Sequence, residues 1–180
     1  MMIDDYLPEF DFKERHSIRI AATVDTVFRA LKEADLCESW VARFLFRLRG
    51  LPTEKLTLAD IRKIRFETLG ETANKEILIG LIGKFWTIAG DLRKIDRDTF
   101  KAFDESGYAK AVWNFSLDED DGATCLKTET RIRCLDAGSR ASFGRYWMFI
   151  RPFSGLIRME ILKIVKRKAE MALQNQTVLG

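Results

Sequence analysis

His16 is the one histidine of the chain, and Glu14 stands two residues before it. On an extended strand that spacing puts both side chains on one face, where a carboxylate beside an imidazole suits general-base chemistry near neutral pH. Phe12, Ile18 and Ile20 share that face, so the pair points inward. The plainer reading is a hydrogen-bonded strand residue near a sheet edge, because no nucleophile or second base stands at a spacing that completes a catalytic set. Metal chemistry has less to build on. One histidine, with Cys37, Cys125 and Cys134 scattered and odd in number, makes no tetrahedral site and fits no ligand spacing. The residues imply neither a metal nor a cofactor.

Those side chains must be positioned by the rest of the chain. Its 180 residues suit a single domain spanning 1–180, with a core over about residues 10–174. Hydrophobic residues at 47% and charged residues at 32% give a globular composition. With 30 basic against 27 acidic residues the net charge is +3, too balanced to require nucleic acid as a partner. Met1 to Tyr6 shows no basic region followed by an apolar run, so no secretory signal is read. No stretch reaches the ~20 apolar residues of a membrane span. Thiols that fit no disulfide framework suggest a reducing, cytoplasmic setting.

Phe10 to Ile20 alternates apolar and polar and reads as a half-buried strand. Thr23 then caps a helix bearing Val24, Val27, Phe28 and Leu31 at helical spacing. A second helix follows Asp35, with Leu36, Trp40, Phe44 and Leu48 on one stripe and Gly50-Leu51-Pro52 at its end. Thr57 and Asp60 resemble a shortened capping box for a brief helix from Leu58 to Arg62. Ile64 to Glu71 and Glu76 to Trp86 read as strands, the second with Gly80 and Gly83 marking a bend or bulge. Thr87 to Asp98 is a long loop, a lid or a mobile segment at the mouth of the fold. Thr99 to Asp104 and Tyr108 to Leu117 form a hairpin, and an acidic turn leads into Thr124 to Leu135. In that last strand Leu126, Thr128, Thr130, Ile132 and Cys134 share one face, opposite Lys127, Glu129, Arg131 and Arg133.

From Ser139 to Gln174 the chain reads as one amphipathic helix. Phe143, Trp147, Ile150, Ile157, Ile161 and Ile164 fall on one side of it. Pro152, with Gly155 close behind, predicts a kink or a break, either a gate or a static bend. Lys163, Lys166, Arg167 and Lys168 near its end suit the negative pole of the helix dipole, and a basic cluster of this kind also fits transient membrane contact. Helices gathered on one side of an antiparallel sheet make an α+β domain.

This order resembles the helix-grip fold of the START and Bet v 1-like (SRPBCC, polyketide cyclase-like) superfamily. The resemblance covers nearly the whole chain. It rests on the first strand running into Ala22-Thr23-Val24-Asp25-Thr26-Val27-Phe28, on Gly83-Lys84-Phe85-Trp86, on Thr128-Glu129-Thr130-Arg131, and on Phe143-Gly144-Arg145-Tyr146-Trp147. It implies a sheet of about seven strands curved around the C-terminal helix, with a tunnel for a lipid, quinone, polyketide or other apolar molecule. No catalytic motif is common to the superfamily, and a fold by itself fixes no chemistry.

The wall of such a cavity is expected from Trp113, Phe115, Thr128, Thr130, Phe143, Trp147, Ile150 and Ile157, the two threonines offering hydroxyls to orient a guest. Each of them can equally be plain core. The leading expectation is a carrier or sensor of an apolar small molecule. An alternative is a cyclase- or hydratase-like enzyme in which His16, Glu14 or a threonine moves protons. A third is a protein-interaction module with a filled core and an exposed apolar patch.

Overall fold

The computed structural model describes residues 1–48, 53–87 and 89–178. Five strands, β1 (Phe12–Ile20), β2 (Glu67–Thr72), β3 (Glu76–Gly83), β4 (Ala109–Asp120) and β5 (Ala123–Cys134), form one sheet in the order β1-β5-β4-β3-β2. Every neighbouring pair is antiparallel. The architecture is α+β and helix-grip-like, with five strands among the described residues where about seven were expected.

Part of that difference lies at Thr99 to Asp104, which is not a hairpin strand. It belongs to a short helix, Arg97–Ala102, capped by Asp96, whose carboxylate accepts a hydrogen bond from the Thr99 N–H at 2.8 Å. An Asp three residues ahead of a helical N–H is a strong start signal, and it outweighs the weak alternation around Phe100. The true long hairpin is β4–β5, closed by Asp121 and Gly122 with φ of 46° and 73°. Positive φ at both central residues is what a two-residue turn between right-twisting strands requires, and Asp-Gly supplies it.

Helices cover both faces of the sheet. On the inner face lie α2 (Val24–Glu33) and the long C-terminal helix (Ala137–Val178), whose Ile161, Leu162, Ile164 and Val165 pack with Val27, Phe28, Leu31, Phe115, Leu117 and Leu126. On the outer face, the N-terminal helix α1 (Met2–Tyr6) and the short Arg97–Ala102 helix bury Ile3, Leu7 and Phe100 against Leu69, Leu78, Ile82 and Val112. That double cover explains β3, every residue of which is buried. A near-continuous apolar strand is the sequence mark of a sheet covered on both sides.

Between α2 and β2 come a 3-10 turn (Leu36–Glu38), helix α3 (Trp40–Leu48) and a 3-10 helix (Leu58–Ile64). In order, the remaining helices are α4 (Arg97–Ala102) and α5 (Ala137–Val178). The stripe expected on the second helix divides: Leu36 is buried, but Trp40 and Phe44 are 74% and 58% exposed. The stop expected at Gly50-Leu51-Pro52 lies outside the described residues. At the 3-10 helix the Asp60 carboxylate accepts from both the N–H and the hydroxyl of Thr57, at 3.2 and 2.8 Å.

The β3–β4 ladder runs without interruption through Gly80 and Gly83, so neither makes a bulge there. The register shift is in β2, between Thr68 and Gly70. Gly80 serves packing instead, since a Cβ at that position would sit 2.4 Å from Leu69 Cδ1. Nor does Pro152 break α5, which is continuous from Ala137 to Val178. The carbonyl that loses its partner to proline belongs to Met148, a residue 70% exposed, where water can take the place of the missing donor.

Candidate functional site

The inner face of β1 presents Glu14 and His16 to the middle of α5. Close approach depends on Gly155, where a Cβ would lie 2.7 Å from Glu14 Oε1 and 3.5 Å from His16 Nε2. With hydrogen there instead, the strand nestles against helix backbone. His16 Nε2 and Glu14 Oε1 are 3.0 Å apart, and the other oxygen, Oε2, accepts from Arg158 Nη1 at 3.2 Å. Arg158 also donates through Nε to Thr130 Oγ1 at 2.9 Å and through Nη1 to Ser154 Oγ. The result is a polar cluster, His16, Glu14, Arg158, Thr130 and Ser154, enclosed between sheet and helix.

Its electrostatics are unbalanced. Burial pulls the Arg158 guanidinium down to about 10, against the attraction of Glu14, which favours its charge. The group remains a cation at neutral pH, but its one carboxylate partner does not offset the loss of water. Its Cζ lies 5.5 Å from the centre of the Trp113 ring, over the aromatic face.

Trp113 is the informative neighbour. It stands on β4, the central strand of five, and points toward the helix, yet it is only partly buried. Solvent therefore reaches the inner surface of the sheet beside Arg158. Ile157 of α5 and Phe66, just before β2, are half-buried residues packed against the same core. Phe66 also lines a cleft of about 370 Å3 whose wall mixes Arg62, Arg65, Arg93 and Lys94 with Glu67, Asp96 and Ile95.

The eight expected wall residues fall into three settings. Trp113 and Thr128 are bonded to each other, Nε1 to Oγ1 at 2.6 Å, and the Thr128 hydroxyl donates onward to the Asn114 carbonyl at 2.9 Å. Thr128 thus has no proton left for a guest, and Thr130 accepts from Arg158. Phe115 is wholly buried, 4.9 Å from the Trp113 ring. Phe143 is 1% exposed at the centre of an aromatic cluster, with ring distances of 4.9 Å to Phe12, 5.4 Å to Phe85, 6.0 Å to Trp86 and 5.7 Å to a stacked Trp147. That cluster closes the space between helix and sheet at the start of α5. Ile150 and Ile157 are half-buried along the helix.

Sequence reasoning missed Arg158 and Ser154. The signal was present, because 150, 154, 157 and 161 continue the inner stripe and Arg158 adjoins it, but an arginine on a helix is ordinarily read as a surface residue. Within the segment from Thr87 to Asp98, the Gly90 carbonyl accepts from Lys84 N–H at 2.7 Å, Asp91 accepts from the Tyr108 hydroxyl at 2.5 Å, and Arg93 Cζ lies 4.6 Å from the Tyr108 ring centre, with Lys84 Nζ at 4.5 Å from it. The C-terminal cations are also engaged. Lys163 pairs with Glu160 at 3.0 Å, Lys166 with Glu170 at 3.4 Å, and Arg167 and Lys168 with Glu38 at 2.8 and 2.7 Å.

Burial, with the charges of Asp11 and Asp136, pushes the Cys134 thiol up to about 12, so it is no nucleophile at neutral pH. Among the described residues no three His, Cys, Asp or Glu side chains gather in a group that could hold a metal ion. Among them, too, no helix is long and apolar enough to cross a membrane.

Comparison with solved structures returns loose likenesses over most of the chain. A conserved protein from Geobacillus kaustophilus aligns at 13% identity and a TM-score of 0.46, covering 89% of this chain and 97% of that one. A Thermus thermophilus protein, TTHA0849, aligns at 8% identity and a TM-score of 0.40, covering 89% and 99%. The di-domain ARO/CYC protein StfQ from the steffimycin biosynthetic pathway aligns at 10% identity and a TM-score of 0.42, covering 96% of this chain and 55% of that one. No family model and no curated protein matches the sequence. Superpositions this loose transfer neither an activity nor a residue role.

Proposed function

We propose that the protein binds an apolar small molecule of lipid, quinone or polyketide type between the sheet and α5, as a carrier or sensor, with a polar group of the guest turned toward Arg158. The observation that carries this reading is Trp113: a large ring on the central strand, facing the helix and left partly open, beside a buried cation with too little counter-charge. Ligand sites join apolar lining to a few polar groups that set orientation. Here Trp113, Phe66 and Ile157, packed on one core, supply the lining and the guanidinium supplies the orientation. An acidic or carbonyl oxygen on the guest complements that cation, and a plain hydrocarbon does not.

Fluorescence titration tests it. A brominated fatty acid and a naphthoquinone should each quench tryptophan emission, Trp113→Phe should remove most of that quenching, and Arg158→Met should weaken binding of the carboxylate roughly tenfold. Absence of quenching with both probes, together with an unchanged melting temperature, refutes the reading.

The contact between His16 and Glu14 sustains a second reading, proton transfer on the bound molecule. A base held by a carboxylate that is itself fixed by Arg158 is the arrangement general-base chemistry uses. His16→Asn would then leave guest binding intact and abolish turnover of a polyketide-like β-diketone probe.

A further inference from the structure

We infer that a face built from α3 and the middle of α5 docks the protein onto an anionic lipid bilayer. Trp40 and Phe44 on α3, and Met148, Phe149, Phe153 and Leu156 on α5, are 74%, 58%, 70%, 74%, 47% and 48% exposed. Single exposed apolar residues need no explanation, but a cluster of large ones does. They are continuous: Phe149, Phe153, Leu156 and Glu160 follow one another at helical spacing along α5, and Glu160 accepts a hydrogen bond at 2.8 Å from the hydroxyl of Ser39, the residue before Trp40. The exposed stripe of α5 thus runs straight into the first turn of α3.

Charge selects the partner. From Ser39 to Thr53 and from Ala137 to Met159 the sequence contains no Asp or Glu. Arg43, Arg47 and Arg145 in these stretches are exposed, Arg145 on the same side of α5 as Phe149 and Phe153, and among the described residues none of the three makes an ion pair. Aromatic and Met side chains interleaved with unopposed arginines match the boundary between headgroups and acyl chains of an anionic bilayer. A second copy of the chain fits poorly, since an isologous contact would set the same arginines against one another, and Glu160, the acid at the end of the stripe, is already engaged by Lys163 and Ser39. The face is distinct from the cations at the end of α5, all of which are paired.

The surface residues stand apart from the groove, so docking can be tested without any guest. Flotation with vesicles of phosphatidylcholine, and with the same lipid carrying about one-third phosphatidylglycerol, should show binding to the second only, weakened by salt. Trp40→Ser with Phe149→Ser, and separately Arg43→Glu with Arg145→Glu, should each lower the bound fraction roughly tenfold while circular dichroism and melting stay unchanged. Lys163→Ala with Lys166→Ala should leave binding as it was. The inference is overturned if the wild-type protein ignores anionic vesicles, or if the tryptophan and phenylalanine variant floats like wild type. A concentration-dependent dimer in sedimentation that the same variant abolishes would overturn it too, by assigning the face to a second copy. Loss of quenching by fatty acid and quinone with flotation intact would refute the groove and leave the docking face standing.

Discussion

Two arginines are buried on opposite sides of this structure, and they are held differently. Arg131, on the outer face of β5, donates through Nε to Glu129 at 2.7 Å, through Nη1 to the Leu7 carbonyl at 3.0 Å and through Nη2 to Asp4 at 2.7 Å. Glu129 in turn accepts from Arg15 at 2.5 Å. Burial pulls the Arg131 guanidinium down, but the hydrogen bonds and charges of Glu129 and Asp4 more than restore it, leaving it above its ordinary value. Arg158 shares its single carboxylate with His16 and lies below its ordinary value. A buried charge with its shell complete is a fastener. One with too little counter-charge, next to a partly open aromatic ring, is the feature on which the proposed binding site rests.

This contrast is sharpest in stability. Arg131→Met should cost roughly 4 kcal/mol in denaturant unfolding, because it strands Glu129 and releases the N-terminal segment, and it should leave guest binding unchanged. Arg158→Met should cost only about 1 kcal/mol, since the charge removed was poorly compensated and Glu14 keeps His16 as partner. Equal losses from the two substitutions would erase the distinction. The acid limb gives the smallest effect. The hydrogen bond from Arg131 holds the Asp4 carboxyl below its ordinary value of 3.8, so what it contributes is complete above that pH and is lost as pH falls below it. Asp4→Asn should therefore lower the melting temperature slightly at neutral pH, where the contribution is complete, and flatten its dependence on pH below about pH 4, where variant and wild type converge.

What could be read from the residues depended on whether one surface or two decided the pattern. The alternation of β4 and β5 placed those strands to within a few residues, because their inner face is apolar and mainly core. It misjudged Glu129 and Arg131, which read as solvent-facing charges and are 4% and 6% exposed, because the segment that covers them comes from the far end of the chain. Trp40 and Phe44 failed in the other direction, as an apolar stripe that meets no core. Arg158 was hidden by the same logic, a charged residue on a helix whose neighbours alone show that it points inward. The inward side of Glu14 and His16 was legible from period two; their partner was not, since Gly155 reveals its purpose only when strand and helix are brought together.

The two-residue turn at Asp121 and Gly122 has a consequence for the order of assembly. β4 and β5 can zip from that turn at little loop-closure cost, whereas β1 meets β5 only by joining Phe12 to Ile132 across most of the chain. The hairpin is thus the natural early nucleus, and the edge strand that carries Glu14 and His16 is a late arrival. Kinetic refolding would then show the cluster of Glu14, His16 and Arg158 taking shape in the last phase, after the scaffold beneath it is already in place.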